Sequence, residues 1–254
     1  MTDNNRRRLL KGLLASGGLL TLTGCDKLSR SDWFVDTLRS SEKLSNFAQH
    51  AITPRKAMAK EFTRADISPI HRPNGSTNGS GQEYQRLAAN NFADYALRVD
   101  GLVKNPARLS LNDLKALPSR TQITRHDCVE GWSVIGEWTG AKLSAVLEQV
   151  QPLPSARYLV FHCADSYGST GSRYYESIDM EDAYHPQTLL AYGLNGETLP
   201  TANGAPLRLR VERQLGYKMA KFIMAIEVVE NFEDIEGGNG GFWEDRGYAW
   251  YAGI

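Results

Sequence analysis

Strand-like alternation and short amphipathic helical runs are interspersed between about residue 95 and residue 229, which predicts a domain of mixed α and β class. A separate helical pattern precedes it, with Trp33, Phe34, Leu38, Leu44 and Phe47 recurring near helical spacing. The 254 residues, 41% hydrophobic and 23% charged, suffice for one sizeable domain plus that arm, or for two small domains. There is no internal repeat, P-loop or dinucleotide-binding fingerprint.

In chain order, residues 1–24 read as an export signal. Asn5-Arg6-Arg7-Arg8-Leu9-Leu10-Lys11 resembles a twin-arginine motif. The apolar run Gly12–Thr23 is too short to span a bilayer and has the dimensions of a signal h-region. It ends in Leu22-Thr23-Gly24-Cys25, which resembles a lipobox, so Cys25 is the expected lipidation site. Asp26 resembles an inner-membrane retention signal, and the expected location is the periplasm, tethered to the inner membrane. The plainer alternative is an amphipathic helix with a coincidental cysteine. The twin-arginine route carries proteins that fold before export, often around a cofactor.

Residues 25–85 are expected to form the helical arm and a linker, with a second helical piece over 55–62. Pro69–Gly81 is turn-rich; it is either a flexible linker or a loop that wraps the domain and lines a site. His71 within it reads as a surface or structural histidine. The domain proper is expected over 86–254. Asn90-Asn91 reads as a turn before a strand from Tyr95 to Val103, and Ser110 as the N-cap of a short helix stopped by Pro118. A strand through Gln122 and Thr124 leads to Cys128, and Trp138-Thr139-Gly140 is expected to turn the chain into a helix around Leu143, Val146, Leu147 and Val150. Strands follow at 158–163 and 174–178, a short helix at 179–184, and two strands about the tight turn Asn195-Gly196. Leu207, Leu209 and Val211 alternate with Arg208, Arg210 and Glu212; the arginine face is either ordinary surface or suited to a phosphate-bearing ligand. Lys218 and Lys221 would add charge for the same anion. The glycine- and aromatic-rich tail 237–251 is expected to drape over the domain rather than form a strand.

Basic and acidic residues balance at 29 each, and without residues 1–24, which hold Arg6, Arg7, Arg8 and Lys11 against Asp3, 25 basic residues face 28 acidic ones. That excludes a nucleic-acid footprint, which needs a basic surplus. Three cysteines, Cys25, Cys128 and Cys163, do not describe a disulfide framework. Cys128 lies among Arg125, His126, Asp127 and Glu130, a charged setting that favours thiolate for nucleophilic attack or soft-metal binding; a half-buried structural cysteine is the alternative. His162 and Cys163, which end a strand beside Asp165, resemble a metal-ligand pair but lack the spacing of a zinc site.

Five motifs in order carry a resemblance: Arg125–Ser133 around Cys128, Trp138-Thr139-Gly140, Tyr184–Leu189, Asn203–Arg208, and Gly216-Tyr217-Lys218 with Lys221. Together, over about Asn90–Val229, they resemble the molybdopterin-binding domain of the sulfite oxidase family, nearest in style to bacterial periplasmic members such as methionine sulfoxide reductase catalytic subunits. The resemblance implies an α+β (mixed α/β) fold and a molybdenum–molybdopterin cofactor. Cys128 would be the metal ligand. Asn90, Ala93, Asp94, Cys163, Asn203, Arg208, Met219, Ala220 and Lys221 match cofactor-contact positions, although Cys163 stands where the methionine sulfoxide reductase subunits have threonine. His126 stands two residues before the ligand, close enough to support it.

These matches imply an oxidoreductase acting on a small sulfur-oxo substrate, sulfite or sulfoxide-like, with Arg125, His126, Glu130 and Arg173 as candidates for the substrate mouth. The immunoglobulin-like dimerisation domain of typical sulfite oxidases has no counterpart here, so a monomer is expected. No haem-attachment motif is present, so electrons are expected to pass through a separate membrane haem protein or cytochrome. The alternatives are a non-catalytic ligand-binding lipoprotein on the same fold, and a Cys128 nucleophile activated by His126.

Overall fold

Two β-sheets carry the domain. In a computed structural model of the chain, which describes residues 31, 33, 34, 37, 54, 56–167 and 171–254, the chain divides into two units, Met1–Thr53 and Pro54–Ile254. The signal, Cys25 and most of the arm lie outside the described residues. Trp33, Phe34 and Thr37 are helical, with Thr37 Oγ1 donating to the Trp33 carbonyl at 2.7 Å. The second unit takes in residues 54–85, expected to be arm and linker.

The first sheet of that unit has the order β2-β1-β10-β5-β6. Its strands are β1 (Ala96–Gly101), β2 (Ala107–Ser110), β5 (Tyr158–Tyr167), β6 (Ser172–Asp179) and β10 (Ile223–Val229). All pairings are antiparallel except β1 with β10, which register Arg98 against Ala225 in parallel. A parallel pair needs a long crossover, and here the second sheet forms within it. That sheet runs β3-β4-β7-β8, with β9 paired to β7. Its strands are β3 (Ser119–Asp127), β4 (Ser133–Lys142), β7 (Leu189–Leu194), β8 (Glu197–Thr198) and β9 (Arg208–Arg210).

Among the described residues of this unit four helices accompany the sheets: α1 (Gln82–Ala89), α2 (Leu111–Ala116), α3 (Leu143–Val150) and α4 (Met180–Ala183). Ser110 caps α2 as its sequence predicts, its hydroxyl accepting from the Asp113 N–H at 3.1 Å. The amphipathic face of α3 buries Leu143, Val146, Leu147 and Val150 completely, each stabilising the core by about 1.5–3 kcal/mol. Asn195 and Gly196, with φ of 53° and 82°, make the tight turn from β7 to β8.

Two local expectations are corrected. Residues 57–62 form no helix: the Gln187 side chain takes both the N–H and the carbonyl of Ala59, and the Phe62 N–H donates to the Ile123 carbonyl. Trp138, Thr139 and Gly140 lie inside β4, paired with β3 and with β7 through a bulge at Thr139/Gly140. Pairing on both sides overrides the turn tendency of Thr-Gly, and the helix starts only at Leu143. The tail behaves as expected: it has one 3-10 turn, Glu244–Arg246, and single bridges from Gly241 to Glu176 and from Gly253 to Gln214.

Candidate active site

Cys128 begins the loop of the β3–β4 hairpin, whose last register pair is Asp127 with Ser133. Its N–H donates to the Trp132 carbonyl at 2.9 Å, and the Gly131 N–H donates back to the Cys128 carbonyl at 3.0 Å. Gly131 holds φ 84°, which admits this tight return. The thiol therefore stands at the end of a rigid strand, free and half-buried.

The charged surround foreseen for it is organised differently. Arg125 turns to Asp127 at 2.8 Å, and Arg72 lies 3.8 Å from Glu130. Burial pushes the Cys128 thiol up, the Glu130 carboxylate adds to this, and the backbone N–H groups of Glu130 and Val129 and the Arg72 guanidinium oppose it without reversing it. Without a bound metal it is a thiol rather than an activated thiolate. His126 does not activate it. It is 1% exposed, its Nδ1 accepts from Arg210 at 3.1 Å, and its Nε2 is buried without a partner among the described residues. The nucleophile reading is set aside on that geometry.

Cys128, Val129 and Glu130 open onto a cavity of about 130 Å³. Asn74 and Gly75 of the Pro69–Gly81 loop line it, so that loop wraps the domain. Asp165 and Tyr167 enter from β5, Met219 and Lys221 from the turn before β10, and Trp243 and Tyr248 from the tail.

Four cations are buried nearby, and their partners separate them. Arg210 is paired with Glu212 at 2.5 Å, and Lys218 with Glu176 and Glu244 at 2.5 Å each. Lys218 is thus neutralised inside the protein, contrary to its expected part in anion binding. Arg208, 1% exposed, has neutral partners only: the Asn203 carbonyl at 3.0 Å and Asn74 Oδ1 at 3.4 Å, with its Nε unpartnered among the described residues. The Lys221 Nζ donates to the carbonyls of Asn74 (2.6 Å), Ser76 and Ala202. Burial and Arg208 bring the Lys221 ammonium down to about 7. A buried cation without a counter-ion is costly and calls for an anion. Gly204, with φ 111°, lets the two approach, since a Cβ there would lie 2.9 Å from Lys221 Cβ and 3.2 Å from Arg208 Cβ.

The other predicted residues fall around this centre or apart from it. Asn203, 6% exposed, lies 3.3 Å from His71 Nδ1. His71 is no surface residue: it packs edge-on against Trp138 at 5.1 Å, and burial with Arg208 and Arg210 brings its imidazole down to about 3. Ala220 is fully buried and accepts from Leu209 N–H. Asn90, Ala93 and Asp94 sit at the turn after α1, where Asn90 donates to Asp94 at 2.6 Å. Asp94, Cys163 and Arg173 line a second cavity, and Tyr174 is a wall of both. Of the mouth candidates, Glu130 lines the first cavity and Arg173 the second. Asn74, Ser76 and Asp165 escaped the sequence reading as site residues. The loop composition alone pointed toward the first two.

A phosphorylated pterin with a dithiolene fits this donor set. It needs cationic partners for its phosphate, polar atoms for its ring and a soft ligand for its metal. Arg208 and Lys221 supply the first. The unpartnered His71 Nε2 and Arg208 Nε supply the second, and the free Cys128 the third. No group of three or more His, Cys, Asp or Glu side chains is placed to hold a metal among the described residues. A dithiolene-held metal needs only the one protein thiolate.

Fold and site together define a molybdopterin-dependent oxidoreductase of the sulfite oxidase type. The family model described as oxidoreductase molybdopterin binding domain matches residues 85–235, and the chain belongs to that family. It is 36% identical over 248 residues to a chain of Azospira oryzae named as subunit YedZ1 of a protein-methionine-sulfoxide reductase, covering 98% of this chain and 87% of that one. It is 38% identical over 241 residues to the protein-methionine-sulfoxide reductase catalytic subunit MsrP of Xanthomonas axonopodis pv. citri, covering 91% of this chain and 71% of that one. Among solved structures, the sulfane dehydrogenase SoxCD of Paracoccus pantotrophus aligns with a TM-score of 0.49 at 24% identity, over 55% of this chain and 39% of that one. The family assignment rests on the sequence matches.

Proposed function

We propose that this enzyme reduces a small sulfoxide at a molybdenum held by the pterin dithiolene and Cys128, with electrons from a separate haem protein or cytochrome. The observation that carries the reading is the half-buried Cys128 thiol on a cavity lined by Lys221, with Arg208 buried beside that lysine across Gly204 and neither cation in a salt bridge among the described residues. When bound, the cofactor supplies the oxygen-atom and electron chemistry. The chain supplies the rest: Arg208 and Lys221 anchor the phosphate, and the ordered hairpin loop holds Cys128 in place. The aromatic walls Tyr167, Trp243 and Tyr248 suit a sulfur substituent, since sulfur packs favourably on aromatic rings. The names of the two relatives support a sulfoxide over sulfite.

Protein exported from a molybdenum-replete host should carry close to one molybdenum per chain and reduce methyl sulfoxides with reduced viologen as donor. Cys128→Ala should fold normally and lose both metal and turnover. Full metal loading in that variant would sink the ligand assignment, and a loaded enzyme inert to every sulfoxide would sink the substrate. The same reading places the enzyme at the periplasmic face of the inner membrane, tethered through Cys25. Wild type should then sediment with membranes and Cys25→Ala should not; equal solubility of the two would rule the tether out.

A further inference from the structure

Reduction of a sulfoxide consumes two protons and two electrons: the S–O bond breaks, and the oxygen leaves as water. A one-electron donor protein, or reduced viologen in an assay, supplies the electrons through the cofactor. The protons have to reach an oxygen in the cavity onto which Cys128 opens. We propose that Asp165 delivers a proton to the departing oxygen, and that Ser76 holds it in position for this. This rests on the sulfoxide reading above.

The geometry singles out this carboxyl. Asp165 is 2% exposed yet lines the same cavity as Cys128. It sits in the irregular stretch of β5, where the register with β6 shifts between His162 and Ser166. One carboxyl oxygen, Oδ2, accepts from Ser76 Oγ at 2.5 Å; the other, Oδ1, is buried with no partner among the described residues. One oxygen is therefore fixed and the other is left available. The buried acids Glu176 and Glu244 are both occupied by Lys218. Glu130, the other acid on the cavity, is an exposed rim residue whose carboxylate accepts from Trp132 Nε1.

The charge balance is right for a proton donor. Burial brings the Asp165 carboxyl up to about 6, while the Ser76 hydrogen bond and Lys221 oppose this. The other titratable groups that sense it are Cys163 and Tyr167 on its own strand and Tyr84 of α1, all shifted toward their neutral forms. Only Lys221 brings positive charge to it. A donor near the working pH gives up its proton readily and regains it from solvent between turnovers.

The test uses the molybdopterin-loaded enzyme with a methyl sulfoxide and reduced viologen. For wild type, kcat/KM should decline as pH rises through about 6, the protonated acid being the active form. Asp165→Asn should lower kcat/KM by ~10²-fold and abolish that limb. Asp165→Glu should restore it. Ser76→Ala removes a bond that favours the ionised form, so its limb should move to higher pH. Infrared difference spectra should show a carboxylic-acid C=O band titrating with the limb and missing from Asp165→Asn. Molybdenum and pterin contents should match wild type in all three variants. An unchanged profile in Asp165→Asn, a limb that stays in place in Ser76→Ala, or loss of pterin from folded Asp165→Asn would each overturn the proposal. In the last case Asp165 would be a cofactor contact. A loaded wild type that reduces no sulfoxide overturns the substrate reading and this proposal together, whereas an active wild type with an unchanged Asp165→Asn overturns this proposal alone.

Discussion

A guanidinium buried without a carboxylate is among the costlier residues a fold can carry, and Arg208 is one. The alternation of Leu207, Leu209 and Val211 with Arg208, Arg210 and Glu212 was readable in the sequence, and it suggested an arginine face. What it could not show is that both arginines are buried and stack on Trp138, at 4.8 and 4.3 Å. Nor could it show that only one of them has an internal counter-ion. Arg208→Gln should therefore leave folding intact and weaken cofactor retention. Loss of a charge-assisted contact costs about 1.5–3 kcal/mol, or roughly 10- to 100-fold in affinity. Pterin content after dialysis measures this, and unchanged retention would separate Arg208 from the anion site. Lys218 teaches the converse: the sequence grouped it with Lys221, but its partners Glu176 and Glu244 lie 42 and 26 residues away. Local spacing carries no trace of them.

Among the elements, the turn Gly216–Lys218 is buried against the His126 ring. A Cβ on Gly216 would lie 2.4 Å from the His126 ring, which Arg210 and Met219 hold in place. Gly216→Ala should destabilise the protein by about 1–3 kcal/mol through overpacking, read as a lowered denaturant midpoint at unchanged slope. An unaltered midpoint would mean that the ring can move aside. Elements with strong local patterning were legible: the capped helix α2, the amphipathic α3, the Asn-Gly turn and the buried β5 all lie where the sequence placed them. The continuation of β4 through Trp138-Thr139-Gly140 and the non-helical course of residues 57–62 were not. Both are decided by cross-chain partners, Leu194 against Trp138 and Gln187 against Ala59.

At the scale of the whole domain, the cavity draws on both sheets: Cys128 from the hairpin of one, Asp165 and Tyr167 from a strand of the other. Such a site is long-range by construction, so the ordered motifs revealed its family while its geometry needed the fold. The buried ionisable groups also set a pH response of opposite signs. His71, lowered to about 3, contributes stability that is present above its unfolded value near 6.5 and is lost as pH falls through 3. Asp165, raised to about 6, contributes stability present below 3.8 and lost as pH rises through 6. In cofactor-free protein, His71→Asn should flatten the acid-side loss of stability by about 1.4 kcal/mol per pH unit below 6.5. Asp165→Asn should steepen it between pH 6 and 3.8. Denaturant midpoints at pH 7, 5.5 and 4.5 would show whether the two slopes diverge. The tail adds a consequence in time. Trp243 and Tyr248 are the last wall residues to leave the ribosome, and Glu244, which ties that wall to Lys218, emerges between them. Until those residues are synthesised Tyr167, Tyr174 and Tyr217 are the only aromatic walls of the cavity among the described residues, so the last part of the chain to be made closes one of its sides.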